Sequence, residues 1–329
     1  VRGDDGARHL LVEMTGVPAM GYRAYRVADA VSLEPAEMTI TPRLLENAHY
    51  RIRLNEAGEI ASLFDKDAGR EVLRPGACGN VLRVVAECPA GGEVCGAIGG
   101  DRAEARTTNA VVDVVVEEAG PVRSTLRLRW RVGESTITQR LTLYRVSRRI
   151  DFRTELDWRE TRRLLQVAFP VDVRATFATY EVQFGTVERP THRNTPVDAA
   201  RTEVPAQRWA DLSEGNYGVA LLNDGMHGYD VTGDTLTLTL SGAGHEGDGA
   251  RETFTYSLLP HAGTWRDGDV TREAAALNHP TYAAYTPAQA GGALPEMYEF
   301  ASVDAGTVSY THLRAHETVL DLVCRLLLE

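Results

Sequence analysis

The sequence predicts an all-β protein: a large antiparallel β-sandwich preceded by the end of a small β domain. Two observations support this fold class. Apolar and polar residues alternate with a period of two in several consecutive runs, whereas helical periodicity is scarce before about the last twenty residues. Short turns separate the runs, and strands connected in this way form antiparallel sheets that stack as a sandwich.

The clearest predicted strand covers residues 122–132. Its apolar residues share one parity and its arginines share the other. The apolar set is Leu126, Leu128, Trp130 and Val132, and the basic set is Arg123, Arg127, Arg129 and Arg131. Only a pleated strand separates a core face from a solvent face in this manner. Residues 136–144 and 150–158 repeat the pattern, and further runs follow at 235–240 and 253–259.

The arginine-rich outer face raises the question of a site for a polyanion. Asp151, Glu155 and Asp157 lie on the outer parity of a nearby predicted strand. Charge pairing between strands is therefore the simpler interpretation. We expect these arginines to be balanced by acidic residues within the sheet.

The first forty residues differ from the rest. Residues 17–27 form a short β segment, and residues 28–43 resemble a connector with two prolines. We therefore predict the end of a small β domain and a connector at residues 1–39. The large β-sandwich is predicted at residues 40–307, and a non-native tail at residues 308–329.

Composition restricts the partners and the location. The chain has 329 residues and a formal net charge of -11, which argues against nucleic acid or an anionic membrane surface as partner. No apolar run approaches the roughly 20 residues of a membrane-spanning helix. The four cysteines show no Cys-x-x-Cys spacing, which favours reduced thiols in a cytoplasmic protein.

The tail contains a pattern that imitates a metal site. His312 and His316 stand four residues apart, as on one helical face, and Cys324 could supply a third zinc ligand. However, residues 309–317 and 322–329 both back-translate, in one frame, to sequences of a sequencing adapter, with room for a variable index between them. We interpret the tail as translated adapter and predict no metal site in this chain.

Two stretches carry a family resemblance. The first covers residues 44–73, a strand, a glycine turn and a second strand. The second is denser and includes residues 157–170, the Arg-Pro-Thr-His-Arg-Asn-Thr segment at 189–195, and residues 208–213 and 217–224. Together they resemble the C-terminal β-sandwich portion of α-mannosidases of glycoside hydrolase family 38, over about residues 10–300. The resemblance implies a galactose-mutarotase-like supersandwich.

The resemblance also implies a chemistry that this chain does not contain. Members of the family are retaining glycosidases that use two carboxylates and a zinc ion held by His and Asp ligands. Those residues belong to an N-terminal α/β barrel, so no catalytic or metal residue is assigned here. We expect zinc in the parent enzyme and none bound by this fragment, which alone is expected to be inactive.

The resemblance implies two partners: a mannose-containing oligosaccharide and the protein's own N-terminal catalytic domain. Homo-oligomerisation is left open. The alternative to a mannosidase part is a stand-alone carbohydrate-binding or interaction module. An adjoining barrel with paired carboxylates and a His/Asp cluster would favour the enzyme, and its absence would favour the module.

Six residues are candidates for substrate binding. His192, Arg193 and Asn194 follow Pro190 in a polar loop, where planar donors and acceptors could bind a sugar. Asn223, Asp224 and Tyr229 lie in and after a predicted turn. For each group a structural role is the alternative: pinning a loop for the first, and local turn hydrogen bonding for the second.

Overall fold

The computed structural model describes residues 11–14, 16–18, 20–26, 38–86, 105–106, 111, 113–161, 163–200, 203–241, 251–286 and 294–300. It confirms the all-β prediction, with 55% of the described residues in strands and 6% in helices. The strands are β1 Gly21–Arg23, β2 Thr39–Thr41, β3 Leu44–Glu46, β4 Tyr50–Leu54, β5 Ile60–Asp65, β6 Arg70–Glu71, β7 Val81–Ala86, β8 Ala105–Arg106, β9 Asp113–Ala119, β10 Arg123–Val132, β11 Ser135–Tyr144, β12 Ile150–Asp157, β13 Arg163–Pro170, β14 Phe177–Val182, β15 Gly185–Pro190, β16 Val204–Pro205, β17 Trp209–Glu214, β18 Tyr217–Asn223, β19 Gly228–Thr232, β20 Thr235–Ser241, β21 Arg251–Ala262 and β22 Met297–Glu299. The helices are α1 Pro196–Ala200 and α2 Val270–Asn278.

The strands form antiparallel sheets. Over the described residues, the largest sheet has nine strands in the order β15-β14-β17-β18-β21-β12-β11-β10-β9. A second sheet has the order β16-β19-β20-β13-β7-β8, and a third runs β2-β3-β4-β5-β6. The three runs predicted as neighbouring strands are β10, β11 and β12, which pair in sequence as hairpins.

One apolar core connects the three sheets. Phe152 of β12 faces Phe169 of β13, with ring centroids 5.6 Å apart, so the first two sheets pack face to face. Leu45 and Ile52 of the third sheet belong to the same buried cluster. Period-two alternation along each strand places these side chains inward, and their removal from water is the main stabilising term.

A closed set of polar side chains lies inside this core. Asn80 donates to Gln139 (2.7 Å), Gln139 donates to both Thr154 (3.0 Å) and Tyr256 (2.7 Å), and Tyr256 donates back to Asn80 (2.6 Å). All four residues are buried. Because unpaired polar groups in a core are costly, this network favours one register of the facing sheets over its neighbours.

On the outer face of β9–β12 the arginines pair with acidic residues, as the sequence predicts. Most of these acidic residues, however, are not the predicted Asp151, Glu155 and Asp157. Arg127 bonds to Asp113 of β9 at 3.2 Å. Arg140 of β11 contacts Glu117 at 2.7 Å and also Glu155. The difference follows from strand order: β10 lies between β9 and β11, so the acids of β12 are two strands away.

Helix α2 covers part of the same outer face of the nine-stranded sheet, over β17, β18 and β21. Its Val270 and Ala274 are buried against Trp209, Leu222 and Leu259. Asn278, at the end of the helix, donates to the backbone oxygen of Asn223 at 2.8 Å. The helix thereby fixes the end of β18, from which the chain turns into β19.

The chain divides into two compact units, which we call the sandwich unit (residues 33–283) and the ribbon unit (residues 2–32 with 284–329). In the ribbon unit, β1 and β22 form a two-stranded antiparallel sheet, with Tyr22 opposite Tyr298. The predicted domain limits stay a prediction, and the predicted adapter tail, residues 308–329, lies outside the described residues. Over the described residues, no helix is long and apolar enough to cross a membrane.

Candidate functional site

A solvent-open pocket of about 380 Å³ lies at one edge of the sandwich unit. The β14–β15 hairpin, the loop after β15, the start of α1, and strands β16 and β19 surround it. Its lining residues are Tyr180, Arg189, Pro190, Thr191, His192, Arg193, Asp198, Val204, Tyr229, Asp230, Val231 and Thr232.

The loop after β15 is fixed at both ends. Thr191 donates through its backbone N to Thr176 (3.0 Å) and through its hydroxyl to Ala175 (2.7 Å), which ends the strand. At the other end, the Thr195 hydroxyl accepts a hydrogen bond from the backbone N of Asp198 at 3.1 Å and so caps α1. The three residues between these anchors, 192–194, are presented at the surface.

The polar groups of the pocket fall into a paired set and a free set. Arg193 Nη2 donates to Asp230 Oδ2 at 2.8 Å, and the Thr232 hydroxyl donates to the other oxygen of Asp230 at 2.9 Å. His192, which lines the pocket, and Asn194, which lies in the same loop but outside the lining, are exposed and have no hydrogen-bond partner among the described residues. A fixed guanidinium–carboxylate pair beside free donors and acceptors suits the hydroxyl groups of a neutral polyol.

The inner wall of the pocket is aromatic. Tyr180 is buried, and the Arg189 guanidinium carbon lies 4.7 Å from the centre of its ring. Burial raises the pKa of the Tyr180 and Tyr229 hydroxyls above their ordinary value, so both stay neutral. The two tyrosines therefore contribute shape and apolar surface to the pocket, and their neutral hydroxyls give no support for a role in proton transfer.

The remaining predicted residues hold the turn between β18 and β19. Asn223 donates to Gln207 (3.0 Å) and to the Tyr229 hydroxyl (2.7 Å), and its Oδ1 accepts from Gly225 N (2.8 Å). Asp224 accepts from the backbone N of Thr255 at 2.8 Å. The pocket thus brings His192, Arg193 and Tyr229 together, and Asn194 lies in the same loop. The contacts of Asn223 and Asp224 support the structural alternative.

Sequence reasoning missed Asp230, the residue that pairs with Arg193. The two residues are 37 positions apart, and no local pattern marks the contact. The alternation Tyr229–Asp230–Val231 does predict that Asp230 leaves the core face of its strand. The alternation does not tell which loop faces Asp230, because that depends on the pairing of β16, β19 and β20.

Metal chemistry has no support among the described residues: they contain no group of three or more His, Cys, Asp or Glu side chains that could hold an ion. The expectation of zinc in the parent enzyme and none in this fragment stays a prediction. The two carboxylates of the pocket, Asp198 and Asp230, are both engaged by neighbouring side chains. The arrangement is suited to binding a ligand.

The fold and the pocket define an antiparallel β-sandwich protein that carries a small polar pocket at one edge of its sandwich unit. The family described as "Glycosyl hydrolases family 38 C-terminal domain" matches residues 45–246, and this chain belongs to that family. The resemblance stated from the sequence is confirmed.

Curated relatives are α-mannosidases. The chain is 34% identical to "Alpha-mannosidase 2C1" of Homo sapiens over 303 residues, which is 87% of this chain and 29% of that protein. It is also 34% identical to "Alpha-mannosidase G" of Dictyostelium discoideum, over 74% of this chain and 23% of that protein. The chain therefore spans less than a third of the length of these relatives.

Solved structures share the fold. An α-mannosidase from Enterococcus faecalis V583 matches with a TM-score of 0.62 and 17% identity, over 78% of this chain and 33% of that one. A family 38 glycosyl hydrolase protein from Enterococcus faecalis gives a TM-score of 0.66 and 17% identity, over 83% and 36%. At this identity the likeness concerns the fold alone.

Proposed function

We propose that this chain is the C-terminal accessory part of a retaining α-mannosidase and that its pocket binds a mannose-containing oligosaccharide. The relatives named above support the enzyme class. The share of their length that this chain spans supports an accessory part rather than a whole enzyme. The nucleophile, the acid–base carboxylate and the zinc ligands would then belong to a catalytic barrel elsewhere in the longer protein.

The Arg193–Asp230 pair is the observation that carries the substrate proposal. It lies on one side of the pocket, beside His192, which has no hydrogen-bond partner among the described residues. The guanidinium has further N–H groups that can donate to sugar hydroxyl groups, and each carboxylate oxygen has a further lone pair that can accept from one. The net charge of the pair is zero, so it favours a neutral ligand over a charged one.

The first test uses the longer protein and an aryl α-mannoside with a coloured leaving group. We expect the longer protein to release the leaving group and this chain alone to release none. With a manno-oligosaccharide as substrate, which can reach the pocket as well as the catalytic barrel, Arg193→Ala is expected to raise KM about tenfold with a smaller change in kcat, since a tenfold change corresponds to about 1.4 kcal/mol, near the value of one charge-assisted hydrogen bond. Arg193→Lys should recover part of the loss.

A matched control is Arg153→Ala, which removes an exposed arginine outside the pocket lining. An equal rise in KM for both variants would contradict a specific role for Arg193. Hydrolysis by the chain alone would contradict the accessory role, and no hydrolysis by the longer protein would contradict the enzyme class.

The second candidate function is a stand-alone carbohydrate-binding module. One observation favours it: all the residues lining the pocket lie within one compact unit, the sandwich unit, so a separate module could carry the site. Titration calorimetry of the chain alone with a manno-oligosaccharide separates the two functions when combined with the genomic sequence upstream. Binding without an adjoining barrel would favour the module.

A further inference from the structure

The first turn of α1 places a carboxylate in the wall of the pocket. This carboxylate belongs to Asp198, which lines the pocket from the helix side. The Thr195 hydroxyl donates to Asp198 Oδ2 at 2.6 Å and accepts from the backbone N of Asp198 at 3.1 Å. These two reciprocal bonds resemble a capping box and tie the carboxylate to the residue before the helix. The side chain is therefore oriented before any ligand arrives.

The other carboxylate of the pocket, that of Asp230, is in a different state. Its two oxygens accept from Arg193 at 2.8 Å and from Thr232 at 2.9 Å, and the guanidinium balances its charge. Asp198 forms no ion pair with any described residue, and its Oδ1 accepts no hydrogen bond from the described part of the chain. An ionised carboxylate has about four acceptor positions. The larger unused acceptor capacity of the pocket therefore lies on Asp198.

The charges around the pocket restrict what this carboxylate can bind. A free carboxylate attracts cations and hydrogen-bond donors and repels anions. Cations are disfavoured because two guanidinium groups, those of Arg189 and Arg193, line the same pocket. Neutral donors remain, and the hydroxyl groups of a sugar are donors of this kind.

We infer that Asp198 is the specificity-determining acceptor of the pocket: its carboxylate accepts a hydrogen bond from a sugar hydroxyl and requires a donor at that position of the ligand. The inference rests on the proposed function, in which the pocket binds a mannose-containing oligosaccharide. A hydrogen bond to an ionised acceptor is roughly twice as strong as one between neutral groups. A ligand without the donor leaves the carboxylate unpaired on binding, and sites of this kind reject such analogues strongly.

The Arg193–Asp230 pair has a different part in recognition. It offers donors and acceptors side by side, so a ligand group that either donates or accepts can bind there. Asp198, when ionised, can only accept. The pair therefore contributes affinity for many polar ligands, whereas Asp198 distinguishes a hydroxyl group from a substituent that cannot donate.

The test measures binding of an α-linked mannobiose and of derivatives in which one hydroxyl at a time is replaced by fluorine, which cannot donate. Titration calorimetry of the chain should give at least one derivative with a Kd about tenfold or more above that of mannobiose. Asp198→Asn places an amide at the same position, and an amide N–H can donate to oxygen or fluorine. The variant should bind mannobiose about 3–10-fold more weakly and discriminate the same derivative by less than about twofold.

Glu188→Gln is the matched control. Glu188 is an exposed carboxylate of β15 outside the pocket lining, and the substitution changes the charge near the pocket by the same amount. It should alter every Kd by less than about twofold. A purely structural role of Asp198 at the start of α1 would lower the Tm of Asp198→Asn and leave the discrimination intact, and that result overturns the inference. So does a wild-type chain that binds mannobiose and all its fluorinated derivatives equally, a result that needs no variant.

Failure of this inference is separable from failure of the proposed function. A chain that binds mannobiose, yet keeps its discrimination in Asp198→Asn, retains the sugar-binding function and loses the assigned role of Asp198. A chain that binds no mannobiose loses both. The enzyme class is decided independently, by hydrolysis of the aryl α-mannoside by the longer protein.

Discussion

The sandwich unit and the ribbon unit contain the same types of aromatic residue in opposite surroundings, buried in the first unit and exposed to water in the second. In the sandwich unit Phe152 is fully buried and stacks on Tyr256, with ring centroids 5.0 Å apart. In the ribbon unit Tyr298 and Phe300 also contact each other, at 5.0 Å, but Phe300 is 70% exposed. The difference shows that ring contacts alone do not make a core: a second layer must exclude water from them.

The same contrast holds for polar groups. Tyr256 closes a buried network in the sandwich unit, whereas the Tyr22 hydroxyl of the ribbon unit bonds to Pro295 at 3.0 Å in an exposed position. Water can replace the second hydrogen bond but not the first. Three pairs of matched substitutions test this comparison, and their expected effects decrease in order.

The largest effect is expected for phenylalanine to alanine. Phe152→Ala should lower the free energy of unfolding of the sandwich unit by about 3–5 kcal/mol, because it leaves a cavity against Phe169 and Tyr256. Phe300→Ala, the matched change in the ribbon unit, should alter it by less than about 0.5 kcal/mol. Urea unfolding followed by intrinsic fluorescence measures both. Similar losses would mean that the ribbon unit is part of one cooperative core.

A smaller effect is expected for tyrosine to phenylalanine. Tyr256→Phe removes a hydroxyl that accepts from Gln139 and donates to Asn80, and both partners are left unsatisfied in the core. The expected loss is about 1–3 kcal/mol. Tyr22→Phe should change stability by less than about 0.5 kcal/mol, since its partner remains open to water. A neutral Tyr256→Phe would show that the buried network contributes nothing to stability.

The smallest effect is expected for the loss of stability at acidic pH. The hydrogen bond from Lys66, aided by Arg51, holds the pKa of Glu46 below its ordinary value of 4.5. A carboxylate with a lowered folded-state pKa contributes stability that is present above its unfolded pKa and is lost as pH falls through the folded value. Stability should therefore decline below about pH 4.5, and Glu46→Gln should flatten that decline.

Glu296→Gln is the matched control for Glu46→Gln. The Glu46 side chain is 22% exposed, whereas Glu296 is 77% exposed in its pair with Arg26, so water screens the second pair. Glu296→Gln should leave the acid unfolding curve where it is. An identical shift for both variants would contradict the local origin of the effect.

Local patterns predicted much of the sandwich unit. The alternation of leucines and arginines marked β10, and the runs around it marked β11 and β12, because a strand with one buried face must alternate. The loop after Pro190 was also identified from its own residues, and His192 and Arg193 do line the pocket. The parts that failed depend on distant partners: the acids that balance the β10 arginines and the carboxylate that faces Arg193.

The sequence by itself determined the strands, their inward faces and the family, since these are written in neighbouring residues. The tertiary structure decided which strands are adjacent, which polar groups meet in the pocket, and which aromatic rings are buried. Those outcomes depend on pairings across long separations, such as Gly21 with Glu299. No period-two pattern contains that information, because it specifies the face of each residue and not the strand beside it.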